Sequence, residues 1–364
     1  MKTIHVNAST SYDVLISNDL LADAGRHIAV ATDAGPGRKI CLVTDSNVAE
    51  LYAGNDMPLM DSLSKEGFDV HCFVLPAGES AKTFDRLKGL LDFLAKERFT
   101  RDDIVVALGG GTVSDVAGFA ASIYMRGIPH VIIPTTLLAM ADASVGGKTG
   151  INSGYGKNLF GTFRQPALVL IDSTVLGTLP ESNRSDGMAE IIKAGAIADA
   201  SLLEACANGL PEDLTDCIAR AVEIKKEITE NDELESGCRR LLNFGHTIGH
   251  AIELTSDYAV SHGRAVAAGM IIMSAAADSR GLTKEPVTPL IRKALENAGF
   301  TFCSCVTVRH LFPGALADAA LHDKKSHGDT LTIVLPEAPG KCILKDIDYS
   351  ELESLIKEGL EAEV

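Results

Sequence analysis

The rhythm of apolar positions changes near residue 180. Before it, apolar residues come as short β-branched blocks: Lys39–Thr44, Asp69–Leu75, Thr100–Leu108, His130–Ile133 and Ala167–Ile171. Runs of this length, apolar at successive positions, predict strands buried on both faces, as in a parallel sheet. Polar or glycine stops close three of them: Asp45-Ser46-Asn47, Gly109-Gly110-Gly111 and Pro134-Thr135-Thr136. Helical stretches lie between, one opened by PAGESAK (76–82) and running to Leu94, another beginning near Val113. The alternation β, α, β, α predicts a doubly wound parallel sheet. Weak alternation over residues 1–38 predicts edge strands, with GPGR (35–38) as a loop. The segment DSTVLGTLP (172–180) is the boundary, and Ala-rich, helix-period segments then run from Met188 to Gly299. Two domains follow, 1–178 and 179–364, with HDKKSHGDTLTIVLP (322–336) adding a loop and a strand.

Chemistry concentrates in Arg239–Gly263, where three of the chain's ten histidines lie. His246 and His250 are four apart in an apolar helical run, so their rings share one helix face. A polar break at Thr255–Asp257 lets the chain turn back and bring His262 toward them, with Gly263 removing a side chain beside the ring. Spacing alone suits either a metal grip built on His246 and His250 or ordinary hydrogen-bonded histidines. GMAEIIKAG (187–195) sets Glu190 and Lys193 three apart on a helix, as a surface ion pair or as a pair lining a cleft. Lys225 and Lys226 read as a solvated helix face, and Lys324 and Lys325 are either solvated or fold over a cleft.

The Gly109–Gly111 turn between strand and helix is either a tight turn or a seat for a pyrophosphate at a helix N-terminus. Asp45 is either a helix cap or an acceptor for a ribose hydroxyl. ASVGGKTGINSGYGKN (143–158) is too glycine-rich for a regular element; it reads as a solvated loop or as one that wraps a phosphate, with Lys148 and Lys157 supplying charge.

Composition narrows the partners. A net charge of −16 opposes nucleic acid and anionic membrane surfaces, so an anionic substrate needs a local basic pocket. No apolar run reaches membrane-span length and MKTIHVNAST is not built as a signal peptide, so the expected location is cytoplasmic. The eight cysteines lack a CxxC pair, and only Cys303 and Cys305 lie close, which argues against disulfides and a Cys-ligated zinc.

GGGTVSDVAGFAASIYMRG, IPTTLLAMADASVGGKTGIN, GKNLFGTFRQP, GMAEIIK and RLLNFGHTIGHAIE, in this order, resemble the sugar-phosphate cyclase superfamily, above all the 3-dehydroquinate synthase family, from about Lys39 to Leu335. The resemblance implies an α/β Rossmann-like N-terminal domain plus an all-α C-terminal domain, NAD with Zn2+ or Co2+ in the cleft, and a homodimer. It implies Glu190, His246 and His262 as metal ligands, with His250 at the substrate instead. Around NAD it implies Asp45, Asn47, Glu79, Lys82, Gly110, Gly111, Thr112, Asp115, Thr135, Thr136, Asp142, Lys148, Lys157, Val175, Thr178 and Leu179. Around the substrate it implies Asp142, Lys148, Asn158, Lys193, Lys225, Arg239, Asn243, His250 and Lys324, with Arg126 reaching a partner's site.

Three departures stand out: Ser114 replaces the usual glycine before the motif aspartate, Arg264 the usual glutamate after His-Gly, and ESNRSDG (181–187) lacks an arginine–glutamate pair. The implied activity is that of a phosphorus–oxygen lyase of the shikimate pathway for aromatic amino acids. It would take a seven-carbon keto-sugar acid phosphate (DAHP) to 3-dehydroquinate and phosphate, regenerating NAD at each turnover. The rivals are a sister cyclase, a metal-dependent polyol dehydrogenase that releases NADH, and a non-catalytic NAD-binding relative. Lys148, Lys193, Lys225 and Arg239 discriminate, because a neutral polyol needs no such set of cations.

Overall fold

The computed structural model describes residues 1–300, 312–322 and 330–362. Cys303, Cys305, Lys324 and Lys325 lie outside the described residues. The chain divides into two compact units, Met1–Pro180 and Glu181–Val364.

In the first unit, β1 (Lys2–Val6), β2 (Tyr12–Ser17), α1 (Ala24–Thr32), β3 (Lys39–Asp45), α2 (Ser46–Tyr52), α3 (Pro58–Lys65) and β4 (Asp69–Leu75) precede α4 (Phe84–Lys96). Then come β5 (Ile104–Gly109), α5 (Gly111–Ile123), β6 (His130–Pro134), β7 (Lys148–Ser153), β8 (Gly156–Phe163) and β9 (Leu168–Asp172). Seven strands form one sheet in the order β1-β2-β9-β6-β5-β3-β4. All neighbours are parallel except β1, which runs antiparallel to β2. The apolar blocks explain the parallel core: Ile40–Val43 of β3 and Ile104–Leu108 of β5 are 0% exposed, covered by helices on both faces. Strand order reverses between β3 and β5, so Asp45 and Gly109–Gly111 end at the crevice where doubly wound sheets take their ligands.

Three sequence expectations are corrected here. β2 lies between β1 and β9 and is no edge strand. PAGESAK yields only a single 3-10 turn at Glu79–Ala81, and α4 starts at Phe84 with Thr83 capping it. Residues 148–158, expected to be irregular, form most of the β7–β8 hairpin. Gly150 and Gly161 pair directly, and a Cβ on Gly150 would stand 2.7 Å from the Phe160 carbonyl oxygen, so the glycines permit backbone approach across the hairpin instead of preventing strands.

The second unit holds α6 (Glu181–Ala198), α7 (Ala200–Asn208), α8 (Thr215–Asn231), α9 (His246–Thr255), α10 (His262–Ser279), α11 (Thr288–Asn297) and α12 (Pro313–His322). A hairpin of β10 (Thr330–Ala338) and β11 (Lys341–Asp348) follows, and α13 (Tyr349–Glu361) is the last helix. The run TLTIVLP thus supplies one strand of the single hairpin seen among the described residues of this helical unit.

α9 and α10 meet along glycine. A Cβ on Gly245, whose φ is +77°, would lie 2.7 Å from the Val266 carbonyl oxygen; one on Gly249 would lie 3.1 Å from the Val266 nitrogen; one on Gly269 would overlap the Gly245 carbonyl oxygen. The two backbones therefore touch without intervening side chains. Gly269→Ala should push the helices apart, costing about 1–3 kcal/mol by overpacking. Denaturant midpoints will check it, and an unchanged midpoint would remove the seam from the account.

Candidate active site and metal centre

α6 is buried from Gly187 to Ile197 on all sides, and of the two readings left open for Glu190 and Lys193 the surface ion pair is excluded: each is 2% exposed. Lys193 Nζ contacts Glu190 Oε2, while Glu190 Oε1 lies 3.5 Å from His246 Nε2 and 3.3 Å from His262 Nε2. His246 is the first residue of α9 and His262 the first of α10, so the glycine seam between those helices sets their separation, 5.2 Å between ring centroids. Each ring also has its other nitrogen occupied: His246 Nδ1 lies 3.2 Å from the Phe244 carbonyl oxygen and His262 Nδ1 3.2 Å from Glu253 Oε2.

Charge in this cluster is tightly set. Burial would raise the Glu190 carboxyl, yet Lys193, His246 and His262 together hold it well below the usual carboxylate range. Burial, joined by the Lys193 charge, drives His246 well below an ordinary histidine, so its ring is neutral and offers a lone pair. Burial pulls His262 down, but hydrogen bonds and charges from Glu190 and Glu253 outweigh it and lift the ring to about 10. One carboxylate oxygen and two imidazole Nε2 atoms, all within 4.8 Å of one another, suit a divalent cation with positions left open for substrate oxygens. His250 shares its face with His246, as the spacing predicts, with ring centroids 5.5 Å apart. It is exposed and converges with Glu253 and His262 instead of with Glu190.

Lys225 corrects the solvated-face expectation. Its Cα continues the stripe Ile218, Val222, Thr229 on α8, and the residue is only 7% exposed. Lys226 does face outward, 3.9 Å from Glu230. Arg239 is fully buried and donates through Nη1 to the Glu233 carbonyl, and Asn243 Nδ2 donates to Glu235 Oε1 at 2.9 Å. In this geometry Arg239 and Asn243 brace the segment that leads into α9. Gly263 makes room for the α6 backbone at Asp186 and not for an imidazole, another correction to the sequence reading. Two departures from the family pattern meet there, because Asp186 accepts from Ser261 Oγ at 2.7 Å and from the Arg264 backbone N–H, anchoring the start of α10.

In the first unit the implied cofactor residues gather at the C-terminal edge of the sheet. No side chain caps α5 at Gly110; a Cβ there would meet Thr136 at 3.1 Å, and one at Gly111 would meet Ala143 at 3.3 Å. This is a cradle of backbone N–H groups at a helix N-terminus, suited to a pyrophosphate. Ser114 fits it by donating to the Gly110 carbonyl at 3.2 Å. Lys82 Nζ donates to Asp115 Oδ2 at 2.6 Å and to Asn158; Thr112 donates to Glu79 at 3.3 Å. Asp45 caps α2, accepting from Asn47 N at 2.9 Å and Val48 N at 3.1 Å. Thr135 directly follows β6, and Asp142 sits in the turn Ala139–Ala143. Val175 and Thr178 lie after β9, where Tyr52 hydrogen-bonds both, and Leu179 closes that turn. Lys148 starts β7, and Lys157 lies near the start of β8.

Arg126 stands apart. It is exposed after α5, at the end of the sheet opposite the glycine turn. Two participants escaped sequence reasoning. Asn152 donates to Glu79 at 2.7 Å and accepts from the Asn158 backbone at 2.9 Å, a role that nothing in a glycine-rich run signals. Glu253 had a signal, since it lies seven residues after His246 and three after His250, on the same helix face.

A switch-point glycine cradle and a carboxylate–imidazole grip together define a class of enzymes that couple a dinucleotide to a divalent metal. Solved structures of that class share the fold. A 2-epi-5-epi-valiolone synthase from Streptomyces hygroscopicus, with NAD+ and Zn2+ bound, superposes with a TM-score of 0.84 at 28% identity over 98% of this chain and 99% of that one. A 2-deoxy-scyllo-inosose synthase complexed with carbaglucose-6-phosphate, NAD+ and Co2+ gives 0.83 at 25% over 98% and 100%. A probable glycerol dehydrogenase from Sinorhizobium meliloti, at 16% and 0.61 over 96% and 97%, shares the fold alone.

The chain belongs to the 3-dehydroquinate synthase family: residues 72–186 match its N-terminal model and 187–326 its C-terminal model. The 3-dehydroquinate synthase of Streptococcus pneumoniae serotype 4 is 40% identical over 95% of this chain and 96% of its own. That of Lactococcus lactis is 39% identical over 95% and 97%.

Asp232 sets the approach to this site. Against the upward push of burial, backbone N–H groups of Arg239, Gly237 and Ser236 draw its carboxyl down to about 2. A depressed pKa adds stability that is complete above the unfolded value of about 3.9 and disappears as pH falls through the folded value. Asp232→Asn should therefore lower the urea midpoint at pH 6, with the gap to wild type narrowing below about pH 4. A gap that stays constant with pH would mean that the charge contributes nothing.

Proposed function

We propose that the chain is a 3-dehydroquinate synthase, converting DAHP to 3-dehydroquinate and phosphate in the shikimate pathway with NAD used catalytically. The observation that carries this reading is the convergence of Glu190, His246 and His262 in a chain about 40% identical to that family over nearly its full length. When bound, NAD would supply reversible hydride acceptance, and the divalent metal, Zn2+ or Co2+, would supply Lewis acidity toward a substrate hydroxyl.

The chain's own residues divide the remaining work. Glu190, His246 and His262 would hold the metal through one oxygen and two nitrogens. His250, exposed beside them, offers an imidazole for proton exchange with substrate oxygens. The buried amines of Lys193 and Lys225 suit a substrate with anionic groups, a set that a neutral polyol would not need. Gly110 and Gly111 would present N–H groups to the cofactor's pyrophosphate, with Thr112, Lys82 and Asp115 alongside. Arg239 is proposed at the substrate carboxylate, the family position it occupies.

We further place the enzyme in the cytoplasm as a homodimer. The free thiols of Cys41, Cys206, Cys217 and Cys342 fit a reducing compartment. Exposed Leu159, Phe160 and Phe163 on β8, with the Phe84 ring tilted against Phe160 at 4.9 Å between centroids, offer apolar surface for a second copy. Sedimentation at micromolar concentration should give twice the chain mass.

With DAHP and substoichiometric NAD, phosphate release should exceed the NAD supplied many times over without NADH accumulating. Stoichiometric NADH would instead identify a polyol dehydrogenase. Chelation should abolish turnover and Zn2+ or Co2+ restore it. His262→Ala should lose the metal, whereas His250→Ala should retain it and turn over poorly; loss of metal from the His250 variant would reassign the ligands.

A further inference from the structure

Glu253 is a carboxylate that the fold has no evident reason to bury. It sits on α9 between Ile252, at 0% exposure, and the turn to α10, and it is itself only 3% exposed. A carboxylate in such a place is costly unless it is hydrogen-bonded and paired. Its Oε2 lies 3.2 Å from His262 Nδ1, and the Nε2 of that same ring lies 3.3 Å from Glu190 Oε1. The imidazole is therefore strung between two buried carboxylates, one at each nitrogen. An imidazole that binds a metal through one nitrogen needs its proton on the other, and an acceptor at that other nitrogen fixes both the tautomer and the ring plane. His246 has such an acceptor in the neutral Phe244 carbonyl. His262 has a charged one, which also makes its ring the more basic donor.

We propose that Glu253 is a positioning residue for the metal site: it accepts the Nδ1 proton of His262 and so presents Nε2 to the metal. The inference rests on the reading of Glu190, His246 and His262 as ligands. It is distinct from a second seat formed by His250, Glu253 and His262, whose donor atoms also lie within 4.8 Å of one another. A second seat built on His262 Nδ1, the nitrogen beside Glu253, would leave the ring to serve Glu190 only by bridging two ions.

The test uses the full-length protein stripped of metal, with Zn2+ affinity measured by chelator competition, Co2+ absorption as the spectroscopic signature, and apo thermal midpoints as the control for folding. Glu253→Ala should bind one equivalent of Zn2+ about 10–100-fold more weakly than wild type, with a shifted Co2+ spectrum and a folded apo state. Glu253→Gln, which keeps an acceptor but not the charge, should fall between the two. The 15N shifts of His262 should report Nδ1–H in Zn2+-loaded wild type and lose that signature in the alanine variant. A folded Glu253→Ala with wild-type affinity and spectrum overturns the proposal; if that variant does not fold, Glu253→Gln decides, and affinity within about twofold of wild type overturns it. Two equivalents in wild type, the second lost on removing Glu253, would make it a ligand and also overturn it. His262→Ala distinguishes the layers: if it keeps its metal the ligand reading fails and this inference with it, whereas metal loss there with no effect at Glu253 defeats the inference alone.

Discussion

A carboxylate buried in a helical interior governs the second unit. Glu190, at 2% exposure, carries a charge whose desolvation costs several kcal/mol unless it is compensated in place. Compensation comes from Lys193, one turn along α6, and from His262 at the start of α10, with the neutral His246 ring at the start of α9 packed beside them. Each of those helices must then begin or pass within hydrogen-bonding reach of one atom. The bare glycine contacts at Gly245, Gly249 and Gly269 and the Asp186 anchor under α10 are means of meeting that requirement. The chemistry follows from the same constraint, because two imidazoles and a carboxylate held close enough to neutralise one another are also close enough to share a cation.

The centre of the parallel sheet was legible in the sequence because its inner strands are buried on both faces, and such strands are apolar at nearly every position; β6, buried throughout, starts where its block does and ends one residue later. The β7–β8 hairpin was not legible. Its strands are held by backbone pairing at Gly150 and Gly161, and glycine carries the same letter in a hairpin as in a loop. Histidine spacing showed that His246 and His250 share a face, but spacing records only neighbours along one helix. Glu190 reaches His246 from a helix more than fifty residues earlier, so that juxtaposition came from family resemblance and not from periodicity. Lys225 was misread for a related reason: a lysine in a buried stripe looks like a surface residue until the packing on its face is known. Lysine interrupts apolar periodicity wherever its ammonium finds a partner.

The two units solve different problems with similar economy of side chains. At the sheet edge, ligand-facing groups are mostly backbone, and glycine keeps them accessible. In the helical unit they are ionisable side chains, and neighbouring charge sets their protonation. A backbone cradle tolerates sequence change around it more readily than a charge cluster does, because amides do not titrate. Ser114 and Arg264 stand on the two sides of this contrast: the first donates to the Gly110 carbonyl, while the backbone N–H of the second donates to Asp186.

Lys82, Asp115, Asn158, Glu79 and Asn152 form one side-chain network that ties α5 to the β7–β8 hairpin and to the turn before α4. If the proposed cofactor site lies there, binding would be an exchange reaction, in which an anion competes with Asp115 for the Lys82 ammonium. Little side-chain entropy is left to lose, and correspondingly little net Coulombic energy is left to gain. Under that proposal the site would hold its cofactor through shape and amide donors, and its affinity should depend only weakly on ionic strength.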